Sequence, residues 1–232
     1  MSDDKQVLEE LRQHAEKARR DLNDSPLMER TSVAGLVRVL KTQYEDCEIR
    51  KEKKEQSPID VHFRGARFQV SEILDEDRKR NEELRKRQKR LKGTRTYREL
   101  WECVRPGHDS LSPTARAPEY YFQLILSRSQ DKLDRYRRVY GDIGDIDLLV
   151  YINRPSIHLY PTDPWPDPAP LKQHGWRSVA FVGGGPYARV LYANEDAPAF
   201  LRKVVGKTHF WEQPTDVFPQ TLSPQCEPEA KH

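Results

Sequence analysis

Cysteine is scarce in this chain. Cys47, Cys103 and Cys226 are the whole set among 232 residues. They are far apart and lack metal-ligand spacing, and an odd, sparse set points to a reducing compartment. No apolar run approaches the roughly 18 residues that a membrane-spanning helix needs. The N-terminus carries no apolar segment of the kind that opens a signal peptide. The chain therefore reads as a soluble, cytoplasmic protein. It contains no phosphate-binding P-loop, no dinucleotide fingerprint, no Gly-x-Ser-x-Gly and no Cys/His zinc pattern. Its seven histidines are scattered, and none pairs with a nucleophile in the sequence. Those absences leave hard-metal chemistry by acidic and amide side chains, or no chemistry.

Charge and aromatic residues are plentiful. Charged residues make up 33% of the chain and the mean hydropathy is -0.90. Ten Tyr, seven Phe and four Trp still supply material for a core. The length suits one domain of ordinary size, with or without tails. Net charge is only +3, but it is unevenly placed. Arg78, Lys79, Arg80, Arg85, Lys86, Arg87, Lys89, Arg90 and Lys92 face only two acids within one stretch. Such a strip suits a phosphate backbone, and it also suits a solvated helix face.

Periodicity gives the order of elements. Val7, Leu8, Leu11, Ala15 and Ala18 recur at helical spacing over residues 3–22. A second helix is predicted over 27–43, with Val33, Leu36, Val37 and Leu40 as its buried stripe and Glu29 in its first turn. Residues 46–56 read as a charged loop with room for a short edge strand. Residues 74–92 are polar nearly all round, as a solvent-bridging helix or an arm. Thr94 to Val104 fits a strand or a short helix. Ser112 and Pro113 resemble an N-cap and first helical residue. The longest helix is predicted from about residue 114 to Tyr140, burying Tyr121, Leu124, Ile125, Leu133 and Tyr136. Ile146 to Asn153 is the most hydrophobic strand, as expected of one buried on both faces. Residues 155–170 hold six prolines and read as an extended loop around Trp165. Strands at 176–182 and 187–193 flank Gly183 to Pro186, which reads as a hairpin turn. A short helix over 196–205 and a Pro-rich tail over 206–232 close the chain.

Between the second helix and the charged segment lies the most informative stretch, residues 57–74. It alternates apolar and polar residues on both sides of Arg64-Gly65, as a β-hairpin requires. With an even loop, Phe63 faces Ala66, Val61 faces Phe68, Ile59 faces Val70 and Asp60 faces Gln69. Opposed residues share a face. Ile59, Val61, Phe63, Ala66, Phe68 and Val70 then form one face, and Asp60, His62, Arg67, Gln69 and Ser71 the other. A carboxylate comes to lie beside an amide. Glu72 falls on the apolar face in this register, whereas an odd loop or a bulge after Gln69 would bring it beside Asp60. A plain amphipathic hairpin with a wet outer face accounts for the same alternation.

Pro58-Ile59-Asp60 opens the hairpin, and Gln69 to Glu72 closes it as Gln-x-x-Glu. The layout resembles the PD-(D/E)xK nuclease superfamily, whose core is a helix, a three-strand meander, a helix and a fourth strand. In detail the chain resembles a bacterial family of uncharacterised endonuclease candidates known as DUF1780. The matching segments are Phe-Arg-Gly-Ala-Arg-Phe-Gln-Val-Ser-Glu-Ile-Leu-Asp (63–75), Tyr-Gly-Asp-Ile-Gly-Asp-Ile-Asp-Leu-Leu-Val-Tyr-Ile (140–152) and Gly-Trp-Arg-Ser-Val-Ala-Phe (175–181). The likeness runs from residue 27 to residue 203.

The resemblance implies an α/β fold with a restriction-endonuclease-like core, a mixed central sheet flanked by helices. Together with the periodicity and composition above, it divides the chain into an N-terminal helix (1–25), a nuclease-like domain (26–205) and a loose Pro-rich tail (206–232). It implies Mg²⁺ or Mn²⁺ held by Asp60 and by Gln69 or Glu72, with Glu29 as a further acid from the first helix, and DNA as the partner. The superfamily's lysine, two residues after the second ligand, is replaced by Ser71. Lys132 on the long helix is a substitute, near Gln130, although both also fit a solvated helix face. A catalytically inactive nucleic-acid-binding relative and a protein-interaction module built on residues 161–170 are the alternatives. Whether the protein forms a homodimer is left open.

Overall fold

The computed structural model describes residues 13, 25–53, 57–75, 113–141, 143–154, 156–160, 164–183 and 187–211. Apart from residue 13, the helix expected over 3–22 lies outside these residues, as do the basic strip, the segment 94–104 and the tail beyond 211. Seven strands form one mixed sheet in the order β1-β2-β3-β5-β7-β8-β9. They are β1 (Arg50–Lys51), β2 (Val61–Phe63), β3 (Ala66–Leu74), β5 (Asp147–Asn153), β7 (Ser178–Gly183), β8 (Tyr187–Ala193) and β9 (Thr208–Phe210). Strands β3, β5 and β7 run parallel, and the remaining pairs are antiparallel. Parallel neighbours need crossovers. Between β3 and β5 the chain forms helix α2 (Pro118–Tyr140), and between β5 and β7 the short α3 (Ala169–Gln173).

Among the described residues, one long helix covers each face of the sheet. Helix α1 (Ser25–Val39) lies on the first. Its Val33, Leu36 and Val37 join Val61, Phe63, Phe68, Val70 and Leu149 in one core. On the opposite face, Tyr121, Ile125 and Leu133 of α2 pack with Leu148, Val150, Ile152 and Phe181. Strand β5 supplies side chains to both cores in alternation, so its apolar run reflects burial on two sides. No helix among the described residues is long and apolar enough to cross a membrane.

The β2–β3 hairpin has the even register. Phe63 pairs with Ala66, His62 with Arg67 and Val61 with Phe68. Arg64 and Gly65 both adopt positive φ, 44° and 79°, as a two-residue turn of the primed type requires. A buried ion pair ties this turn to the sheet. Asp147 is fully buried, and its carboxylate accepts from Arg177 through both oxygens. It also accepts from Ser178 Oγ at 2.7 Å and from the Arg67 N–H at 2.9 Å. Arg177 Nη2 reaches on to the Gly65 carbonyl at 2.9 Å.

Several elements differ from the sequence reading. Helix α2 starts at Pro118, with Ala117 as its N-cap, and not near residue 114. The preceding residues form strand β4 (Thr114–Arg116), paired in parallel with β6 (Ile157–Leu159). The segment read as an extended loop over 155–170 thus holds a strand and the start of α3. The last helix shortens to α4 (Ala199–Arg202), and β9 extends the sheet into the segment read as tail. The first helix runs over 25–39, two residues earlier at its start and four shorter at its end than the 27–43 reading. The short edge strand allowed within 46–56 is β1.

Removing Arg177 strands the buried Asp147 carboxylate. Arg177→Met should lower the unfolding free energy by about 3–5 kcal/mol. Urea denaturation measures it, and a change under about 1 kcal/mol, the range of a surface pair, would contradict the clamp.

Candidate functional site

The hairpin register brings Asp60 and Gln69 together. Gln69 Nε2 donates to Asp60 Oδ2 at 2.5 Å and to the Val70 carbonyl at 2.9 Å. The Val70 N–H donates to the same Asp60 oxygen at 2.7 Å. Both hydrogen bonds that the described residues supply to this carboxylate therefore fall on Oδ2. Gln69 is only 2% exposed, and its Oε1 is buried without a hydrogen-bond partner among the described residues. An orphaned buried acceptor is costly. The amide spends its donors on Asp60 and Val70 and leaves its best metal-binding atom unspent.

The other expected residues divide. Glu29, near the start of α1, and Lys132, on α2, both lie within electrostatic reach of Asp60. Burial pushes the Asp60 carboxyl up to about 7, with the Glu29 charge acting in the same direction. The Val70 N–H, Lys132 and Lys51 oppose the rise. Lys132 is partly buried, and burial lowers its ammonium pKa, with Arg135 and Arg128 adding to the effect and Asp60 opposing it. Gln130 sits on the solvated face and donates to Asp134 at 2.8 Å.

Glu72 does not join the group. The pairing of β3 with β2 and β5 is continuous from Ala66 to Leu74, so Glu72 lies on the sheet face opposite Gln69. Its carboxylate accepts from Asn153 Nδ2 at 2.9 Å, which satisfies it there. Ser71 is buried on the Gln69 face and brings no charge. The basic residues Arg78, Lys79, Arg80, Arg85, Lys86, Arg87, Lys89 and Arg90 lie outside the described residues.

Tyr136 belongs to this site, although its sequence position marked it only as core. The Lys132 ammonium lies 5.4 Å from the centre of its ring. Burial and the Asp60 charge push the Tyr136 hydroxyl up to about 12. The i, i+4 spacing of Lys132 and Tyr136 was the available signal.

The donors fit a hard divalent cation. They are oxygens only, from one carboxylate with raised pKa and one orphaned amide, with Glu29 within reach of their charge. Among the described residues no three His, Cys, Asp or Glu side chains form a metal-holding group. A Mg²⁺ here would complete its shell with water and phosphate oxygens, as this ion commonly does.

A family model described as "Putative endonuclease, protein of unknown function (DUF1780)" matches residues 3–216. No curated protein matches the chain. One similar solved structure is a protein of unknown function from Pseudomonas aeruginosa strain PAO1, described as belonging to a monooxygenase superfamily. It is 24% identical, with a TM-score of 0.62 over 89% of this chain and 95% of that one. At that identity the likeness concerns the fold.

The raised Asp60 pKa has a stability consequence. A carboxyl raised from 3.8 to about 7 on folding binds its proton more tightly in the native state. Its stabilising contribution is complete below the unfolded pKa and is lost as pH rises through 7. Asp60→Asn keeps an acceptor for Val70 and removes the charge. Without divalent metal it should match the wild type near pH 4. At pH 8 it should exceed it by at most about 4 kcal/mol. Urea melts at both pH values read this difference, and a less stable Asn variant at pH 8 would refute the assignment.

Proposed function

This chain belongs to the DUF1780 family, and we propose that it is a metal-dependent endonuclease hydrolysing DNA phosphodiester bonds at Asp60 and Gln69. The observation that carries the reading is the buried, unpartnered Gln69 Oε1 beside a carboxylate of raised pKa. The fold supports it. A helix, the meander β1-β2-β3, a second helix and a strand parallel to β3 follow in the order of a restriction-endonuclease-like core.

Asp60 and Gln69 would hold Mg²⁺ or Mn²⁺, with Glu29 adding negative charge on the α1 side. The ion, when bound, polarises the phosphate and lowers the pKa of the attacking water. Hydrolysis forms one phosphorus–oxygen bond, to water, and breaks another, to the leaving nucleotide oxygen. One proton passes from the attacking water to solvent, and one proton is taken up by the leaving oxygen. Lys132 supplies the positive charge that Ser71 cannot. Its ammonium rests over the Tyr136 ring and stabilises the negative charge that builds on the phosphate oxygens. Partial burial of the amine strengthens that interaction relative to water.

Ser71 favours one other reading, a nucleic-acid-binding relative without activity, and a single variant series separates the two. Purified protein with Mg²⁺ or Mn²⁺ should nick or cut plasmid DNA. Asp60→Ala should reduce cutting to background and Lys132→Ala by about 10²–10³-fold. Glu72→Ala should stay within a few-fold, provided the fold survives by circular dichroism. Absence of cutting on any DNA or RNA would leave the inactive relative. Equal losses in Glu72→Ala and Asp60→Ala would displace the site.

A further inference from the structure

Arg128, Lys132 and Arg135 recur at i, i+4 and i+7 on α2, so they share one shoulder of the helix. The buried face, with Ile125, Ser129 and Leu133, lies to one side of it. Arg137 projects on the far side of the helix and donates to the His174 carbonyl at 3.2 Å. The shoulder itself faces the hairpin side of the sheet. Arg128 Nη2 donates to the Glu72 carbonyl of β3 at 3.0 Å. Lys132 and Asp60 lie within electrostatic reach of one another.

Asp60 and Glu29 act on the Lys132 charge from a distance, without a direct ion pair among the described residues. Among the described residues no acidic side chain forms an ion pair with Arg128, Lys132 or Arg135. Asp131, one turn before Arg135, makes none with it, and Asp134 takes the Gln130 amide instead. Arg135 is exposed. The Arg128 bond is to a neutral carbonyl and leaves its charge in place. At 1.5 Å per residue the row spans about 10 Å, with Lys132 between the two arginines. Its middle residue, Lys132, lies within electrostatic reach of Asp60, in the site proposed above to hold the metal ion.

We propose that this shoulder of α2 is the track for the phosphate backbone of duplex DNA, with Lys132 at the scissile phosphate and Arg128 and Arg135 on the phosphates to either side. The proposal rests on the Asp60–Gln69 site being the hydrolytic centre, which fixes where the strand must pass. Duplex is favoured over single-stranded DNA because the row offers charge without an open stacking surface. The ring beside it, Tyr136, is already packed against Trp176 and Tyr140. Cations without aromatic platforms suit a strand whose bases are paired and turned away.

Binding of the full chain to a short labelled DNA duplex, measured in EDTA across a salt series, tests this without cleavage. Arg135→Gln and Arg128→Gln should each weaken binding and flatten the slope of log K against log salt by about 0.9. Lys203→Gln, on an exposed turn after α4, should leave the slope unchanged. Thermal melts of each variant establish that the fold is retained. Arg135 is the decisive position, since its side chain makes no hydrogen bond among the described residues. An unchanged slope in both arginine variants, or no binding by the wild type, would overturn the track. Equal binding of an RNA duplex would overturn the assignment to DNA. If cutting fails in every metal while the slopes change as stated, the track stands and the hydrolase reading falls. If cutting is observed while the slopes stay fixed, the track alone falls.

Discussion

A two-residue turn at Arg64 and Gly65 sets the register on which the site depends. Side chains alternate across a strand, so a slip of one residue would carry Gln69 to the α1 face and Glu72 to the α2 face. The turn has both φ angles positive, a shape that glycine adopts freely and arginine tolerates at some cost. The fold answers that cost from outside the hairpin. Arg177 reaches from the start of β7 to the Gly65 carbonyl, while its partner Asp147 takes the Arg67 N–H. Three strands are thereby fixed around one buried charge pair. The raised Arg177 pKa fits this picture: burial alone would lower it, and the Asp147 carboxylate outweighs burial.

With the register fixed, the chemistry follows from which groups are left unsatisfied. The Asp60 carboxylate is partly buried, lies near a second acid and receives two hydrogen bonds on one oxygen, which leaves it a need that the proposed cation would meet. The adjacent amide, bonded through nitrogen and orphaned at oxygen, has the same need. Such arrangements cost stability in the empty protein, and proteins accept that cost at functional sites. Glu72 shows the contrast. It lies three residues further along the same strand, on the opposite face, and its carboxylate has the Asn153 amide as a partner.

Much of this was legible in the sequence, and the failures have physical causes. The alternation around Arg64-Gly65 gave the pairs from Phe63–Ala66 outward, and the apolar run at 147–153 gave the central strand. Both signals are local and periodic. The start of α2 was misplaced because Pro113 and Pro118 both suit a first helical position, and Ser112 is a better capping residue than Ala117, which has no side chain to cap with. Strands β4, β6 and β9 span three residues each, too few for periodicity to mark them. The Asp147–Arg177 pair joins residues thirty apart on neighbouring strands, a relation set by the sheet and by no local pattern. Glu29 and Lys132 were named through family likeness, and the structure brings both within reach of Asp60. Tyr136 went unrecognised because an aromatic at a helical core position usually only packs.

The central claim is that a divalent cation binds between Asp60 and Gln69. Crystals grown or soaked with Mn²⁺ and measured at the manganese absorption edge test it directly. The account requires an anomalous peak bonded to the Asp60 carboxylate and to Gln69 Oε1, at the roughly 2.0–2.2 Å typical of oxygen ligands to small divalent ions. A peak at Glu72, or none at the hairpin under saturating Mn²⁺ above pH 7, would contradict it.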